Sequence, residues 1–287
     1  MRPTHPIPNG RSATIEGDGE GVRRRLDALQ SHLSTLKAKA RGVDPDSFWL
    51  NASELTMWGY RQIATDILTF TGAALDGPHS SAPETDSPHK TLDWGGGMGF
   101  LSYFLEGLGF RNTYYDFASG EPCADLVLSR LEGAVVSATG PVLLPFADST
   151  FDVVVSCGVL EHVEDARASL AEVRRILKPS GLLFVYHFPN RWSYTEFLAR
   201  KTSRPSHDVR LTKRAFLAMF QRGGFEAIGF EYKYLVPRNL VYFPRPRDVF
   251  SRHARGIFAV DRTLAATPGL RIVCTSLNAV LRRSDAP

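Results

Sequence analysis

Only three cysteines, Cys123, Cys157 and Cys274, occur in 287 residues. Odd in number and without a C-x-x-C pair, they exclude a disulfide-stapled scaffold and a structural zinc site, and they fit free thiols in a reducing compartment. No stretch is long and apolar enough to span a bilayer, and MRPTHPIPNGRSATIEGDGEG lacks an apolar run of signal-peptide length after a basic segment. Both absences give the expectation of a cytoplasmic protein. Neither sign of charge dominates: 34 basic against 30 acidic residues leave +4, which names no partner. With 43% hydrophobic and 22% charged residues, the chain has the balance of a soluble globular protein able to bury a full core.

Residues 1–20 carry Pro, Gly, Asn and Ser with almost no bulky apolar groups, and read as a disordered tail. Residues 21–87 read as a helical cap and linker. Leu26, Leu29, Leu33 and Leu36 recur at helical spacing between Val22 and Lys39. Leu55, Trp58, Ile63, Ile67 and Leu68 mark a second helix from Ser53 to Thr71. After a Pro/Ser/Gly-rich segment, residues 88–287 form the main domain, with insertions at about 190–210 and 237–267. Short apolar runs there alternate with helical stretches. Phe151–Ser156 is apolar on consecutive positions, as a strand covered on both faces requires. That rhythm predicts an α/β fold with a doubly wound, Rossmann-like, mostly parallel sheet.

The most informative segment is Thr91-Leu92-Asp93-Trp94-Gly95-Gly96-Gly97-Met98-Gly99-Phe100, where a strand meets an acid and then glycines before a helix. Such a loop lets a ligand approach bare backbone. A P-loop would need Gly-Lys-Ser/Thr, but Phe100 follows Gly99, and the G-x-G-x-x-G pattern is incomplete. Asp93 would repel a pyrophosphate and favour an ammonium group. Asp116 follows after one helix, a turn and one strand, so it emerges beside the loop as an acceptor for a ribose diol.

With these residues in place, the chain resembles the class I S-adenosylmethionine-dependent methyltransferases, the type-11-like small-molecule group. The resemblance covers about residues 88–232. It rests on Asp93-x-Gly95-x-Gly97-x-Gly99, Asp116, Leu144-Pro145-Phe146 before Ser149–Val154, Val159-Leu160-Glu161-His162-Val163, Leu177-Lys178-Pro179-Ser180-Gly181, and Gly223–Glu226. It implies S-adenosyl-L-methionine as cofactor. Asp93 and the glycines would border the methionine portion, Asp116 would hold the ribose and Leu144–Phe146 would flank the adenine, with Cys157 and Gly158 near the methionine tail. It also implies seven strands, one antiparallel, with Phe225–Tyr234 and Leu270–Leu281 as the C-terminal hairpin. Two departures stand out. Near Gly140, where many relatives carry an adenine-side Asp, there is none. Gly158 stands where metal-using relatives carry an acid before the Glu-His pair, so no metal is expected.

Methyl transfer from a sulfonium needs alignment, and a base only for a protonated nucleophile. His187 in Tyr186–Asn190 and His162 are the candidate catalytic bases, with His207 third. The acceptor implied is a small metabolite or a glycan or lipid intermediate, methylated on oxygen. Arg191-Trp192-Ser193-Tyr194 offers an aromatic surface and a cation. Arginines 238, 245, 247, 252, 255 and 262 form a basic stretch open to an anionic substrate or peripheral membrane contact. No nucleic-acid module appears. Two other readings remain: a non-catalytic interaction protein of the same fold, and a nicotinamide-dependent oxidoreductase. Oligomeric state is not encoded in these patterns.

Overall fold

Apolar residues on consecutive positions make strands, and apolar stripes at helical spacing make the helices between them. The computed structural model describes residues 5–6, 19–43, 54–74, 89–117, 124–140, 142–202, 207–237 and 249–284. Cys123, the linker after residue 74, and Arg238, Phe243, Arg245 and Arg247 lie outside them. The chain divides into two compact units. One comprises Pro8–Ser137 and Asn239–Arg252; the other comprises Met1–Ile7, Ala138–Arg238 and His253–Pro287.

The first unit contains α1 (Gly19–Val43), α2 (Glu54–Ala74), β2 (Lys90–Trp94), α3 (Phe100–Gly107), β3 (Arg111–Asp116), α4 (Ala124–Leu128) and β4 (Ala134–Ser137). Its three strands pair in parallel in the order β2-β3-β4, with Asp93 opposite Tyr114. Four consecutive residues of β2, Thr91 to Trp94, are buried. Both long helices pack on α3. Leu26, Leu33 and Leu36 of α1 and Met57, Ile63 and Ile67 of α2 are each almost fully buried, as are Phe104 and Leu105 of α3. Each such side chain contributes about 1.5–3 kcal/mol of burial free energy. Arg61 of α2 pairs with Asp27 of α1 while its guanidinium lies over the Trp58 ring. The cap helices and the glycine loop fall within one compact unit.

The second unit contains β1 (His5–Pro6), β5 (Phe151–Cys157), α5 (Ala166–Ile176), β6 (Leu177–Pro189), α6 (Tyr194–Lys201), α7 (Lys213–Arg222), β7 (Phe225–Lys233), α8 (Ala254–Ala266) and β8 (Ser276–Arg283). Its strand order is β1-β7-β8-β6-β5. The β5–β6 and β1–β7 pairs are parallel, whereas β8 runs antiparallel to both β6 and β7. Setting aside the two-residue β1, the described strands number three and four, the seven expected, mostly parallel and with one antiparallel C-terminal strand. Two details differ from expectation. His5–Pro6, within the tail left out of the fold, pairs with Gly229 and Phe230. Leu270–Val273 is a 3-10 turn, so the last strand starts at Ser276 and α8 separates it from β7. The turn follows Gly269, whose φ of +89° breaks the extended path. Among the described residues, no helix is long and apolar enough to cross a membrane.

Candidate functional site

In the first unit, Gly95, Gly97 and Gly99 take φ of +73°, +54° and +74°, which the β2–α3 turn requires. The loop is stitched to β3. The Gly95 N–H donates to the Tyr115 carbonyl at 2.8 Å, and the Tyr114 hydroxyl donates to the Gly97 carbonyl at 2.7 Å. A Cβ on Gly96 would sit 2.5 Å from the Tyr114 ring, whereas one on Gly97 would meet nothing within 4 Å. Gly97 therefore exposes bare backbone to open space. Beside it stands half-buried Asp116. Its Oδ2 accepts from the Gly97 N–H at 2.7 Å and its Oδ1 from the Phe117 N–H at 2.7 Å. Each carboxylate oxygen keeps a lone pair for a further donor. An open backbone ledge edged by such a carboxylate fits a nucleoside diol.

Asp93 sits deeper than the sequence suggested. It is 1% exposed and accepts from the Ser102 hydroxyl at 2.7 Å, tying β2 to α3. Burial pushes its carboxyl up to about 6, and the nearby Asp116 adds to the rise while Ser102 opposes it.

In the second unit, buried Leu144 is held by two side chains that sequence reasoning missed. Its N–H donates to Glu172 Oε2 at 3.0 Å, and its carbonyl accepts from Arg175 at 2.9 Å. Arg175 also donates to the Phe146 carbonyl at 2.7 Å and to Asp148 at 2.9 Å. Glu172 and Arg175 lie on α5, a helix whose local pattern gives no sign of the loop they hold.

Cys157 ends β5, and Gly158, at φ +72°, donates its N–H to the Tyr186 carbonyl at 3.0 Å. Neither Cys157 nor Cys274 is joined in a disulfide. The turn after Gly158 delivers Glu161 and His162 to His207, with the two imidazole centroids 5.8 Å apart. His207 is oriented from behind. Its Nδ1 bonds to Glu196 Oε1 at 2.8 Å, and its N–H donates to Oε2 at 3.0 Å. That partner raises the His207 pKa. Burial, and then the charge of His207, hold His162 below its usual value. Glu161, 8% exposed, is pushed up to about 7 by burial. Glu161, His162 and His207 each offer a donor atom, all within 4.8 Å of one another, a spacing that a cation could also use. The sequence count, confined to one segment, lacked His207. Asp208, the neighbour in sequence, is not the partner of His207; Glu196 is.

His187 stands apart from that cluster. It lies at a bulge of β6 against β8, at φ +66°, a strained conformation for a residue with a side chain. Buried Asn278 holds it there, accepting from the His187 N–H at 3.0 Å, and its ring packs 5.2 Å from Tyr234.

Residues 92–185 match the family model described as a methyltransferase domain. A Mycobacterium tuberculosis protein named "Probable S-adenosylmethionine-dependent methyltransferase" is 30% identical over 145 residues, covering 50% of this chain and 49% of that one. A ubiquinone/menaquinone biosynthesis C-methyltransferase of Paraburkholderia phymatum is 34% identical over 109 residues, 36% of this chain and 45% of its own. The chain thus spans about half the length of these curated relatives. A solved chain from Galdieria sulphuraria, provisionally titled a sarcosine dimethylglycine methyltransferase, aligns at a TM-score of 0.50 and 14% identity, over 78% of this chain and 85% of its own, and shares the fold. The glycine loop and Asp116 fall inside the matched segment, residues 92–185, which is similar to S-adenosylmethionine-dependent methyltransferases.

Proposed function

We infer that the chain transfers a methyl group from S-adenosylmethionine to an oxygen of a small metabolite or of a glycan- or lipid-linked intermediate. The observation carrying this reading is the open Gly97 ledge with the Asp116 carboxylate bonded beside it. When bound, the cofactor supplies an activated methyl on a sulfonium, so the protein's work is alignment and proton removal. Asp116 would accept from the ribose hydroxyls, Gly95, Gly97 and Gly99 would admit the ligand against bare backbone, and Leu144 would flank the adenine. Cys157 would border the methionine tail. Asp93, buried and bonded to Ser102, would shape the loop from behind and act on the ammonium through it.

A hydroxyl acceptor must lose a proton. His162 suits this role better than His187, because its lowered pKa keeps the imidazole neutral at working pH, ready to accept at a ring nitrogen. His207, held by Glu196, fixes the neighbouring charge. We assign His187 to acceptor contact at the β6 bulge. No metal enters this scheme, and turnover in excess EDTA should equal turnover without it; a loss restored by a divalent cation would show the His162 cluster to be a cation site instead.

The test is calorimetric titration of S-adenosylmethionine and S-adenosylhomocysteine into the protein and its Asp116→Ala variant. Binding that weakens about thirtyfold or more in the variant, ~2 kcal/mol, is expected from loss of charge-assisted hydrogen bonds. No binding to the parent would favour a non-catalytic interaction protein; stabilisation by a nicotinamide dinucleotide instead would favour an oxidoreductase.

A further inference from the structure

The segment between β6 and α7 carries a cavity of about 490 Å³, its wall including Arg191, Trp192, Phe197, Arg200, Asp208 and Arg210. Its size lies in the range of small-molecule sites. Buried polar bonds fix the frame. Asn190, 0% exposed, donates to the carbonyls of Ile272 and Cys274 at 2.7 and 2.8 Å. The Arg191 N–H reaches the Leu211 carbonyl at 3.0 Å, and the Tyr194 hydroxyl donates to the Leu235 carbonyl at 2.6 Å. Buried Ser193 caps α6 by accepting from the Glu196 N–H. Side chains projecting from such a frame are placed rather than loose.

Charge on the wall is uneven. Arg210 is compensated, pairing with Glu196 at 3.7 Å and donating to the His207 carbonyl. The guanidinium groups of Arg191 and Arg200 make no hydrogen bond or ion pair among the described residues. Asp208 is the one acid on the wall, against three arginines. On the same wall, Trp192 and Phe197 leave 58% and 53% of their surface to solvent. A lone surface arginine needs no partner. Two uncompensated guanidinium forks on a fixed concave wall, beside two exposed aromatic faces, complement one chemistry: an oxyanion on a flat apolar body.

We propose that this cavity binds the anionic end of the methyl acceptor, a phosphate or carboxylate carried on an aromatic or similarly flat group. Arg191 and Arg200 take the oxyanion by paired N–H donors, and Trp192 and Phe197 cover the body. Arg210 belongs to both the wall and the Glu196–His207 pair, and His207 lies beside His162, so the anion is held on the side of the cluster that carries the proposed base. That the ligand is the acceptor rests on the methyltransferase reading; the anion site does not.

The test titrates phenyl phosphate, benzoate, inorganic phosphate and benzyl alcohol into the full chain by calorimetry. The aryl anions are expected to bind at least about tenfold tighter than inorganic phosphate, with no binding of benzyl alcohol. In Arg191→Gln/Arg200→Gln the aryl anions should weaken about tenfold or more, and the double lysine variant should recover part of the loss because charge returns without the fork. Trp192→Ala should erase the preference for phenyl phosphate over inorganic phosphate. Equal aryl-anion binding by parent and glutamine variant overturns the proposal, as does no aryl-anion binding together with sedimentation on phosphatidylglycerol but not phosphatidylcholine vesicles, which would mark a lipid headgroup as the source. S-adenosylhomocysteine titrated into the parent protein separates the two failures. Aryl anions bound without S-adenosylhomocysteine leave the anion site standing and remove the methyltransferase reading; the reverse pattern removes only the anion site.

Discussion

The two units build their functional features in different ways. In the glycine-loop unit the groups proposed to face the ligand are mostly backbone, set by three positive-φ glycines and one carboxylate bonded to Gly97. In the unit with β5 to β8 the corresponding features are side chains from separate segments: His207 held by Glu196, the Leu144 loop held by Glu172 and Arg175, and Arg191 with Arg200 on the cavity wall. A backbone site tolerates little change at a few glycines. A side-chain site can be altered residue by residue, and acceptor choice would be expected to live there.

The sharpest way to break the comparison is to remove the proposed base. His162→Gln should lower turnover by about 10²–10³-fold while leaving S-adenosylhomocysteine affinity unchanged, because the variant keeps every group of the backbone site. In the parent, a base must be deprotonated to act, so activity should fall on the acid side through a pKa below the usual histidine value of 6.5, held down by burial and then by His207. Equal loss of affinity and turnover would mean that His162 is structural.

The next effect belongs to the glycine-loop unit. The Asp93 carboxyl is raised from 3.8 to about 6, equivalent to about 3 kcal/mol. A raised carboxyl contributes its stability fully below 3.8 and loses it as pH rises through about 6. Asp93→Asn should therefore be more stable than the parent at pH 7.5, with the gap closing by pH 4. Denaturant titrations at both pH values would check this, and a pH-independent gap would mean that the Ser102 bond, not burial, decides the carboxyl's state.

The smallest effect concerns the Leu144 loop. Arg175→Ala should cost about 1–2 kcal/mol, kept modest because the side chain is 31% exposed and screened by solvent. Hydrogen exchange at the Leu144 amide, which donates to Glu172, should accelerate, since Arg175 no longer orients that carboxylate. Unchanged exchange would show that Glu172 holds the loop unaided.

Much of the fold was legible because its signals are local. The α1 leucines at 26, 33 and 36 are buried where helical spacing placed them, and β5 is the doubly covered strand its apolar run suggested. The 3-10 turn at Leu270–Val273 escaped notice, because four residues with two arginine-flanked apolar positions suit a strand end as well as a turn. Legibility of the site followed the same rule. Asp93, Asp116 and the glycines lie within one strand-loop-helix-strand passage, where strand direction and turn geometry already bring them together.

What the order of residues settled, then, is the backbone-built loop: glycine takes up positive φ most freely, and the end of the next parallel strand must return beside it. What folding alone decided is which distant side chains meet. Glu196 rather than Asp208 orients His207 because a helix turns residue 196 toward the strap at 207, whereas neighbours in sequence point apart. Arg175 reaches Leu144 across 31 positions because α5 packs under that loop. Such meetings depend on packing between elements, which no local pattern of residues encodes.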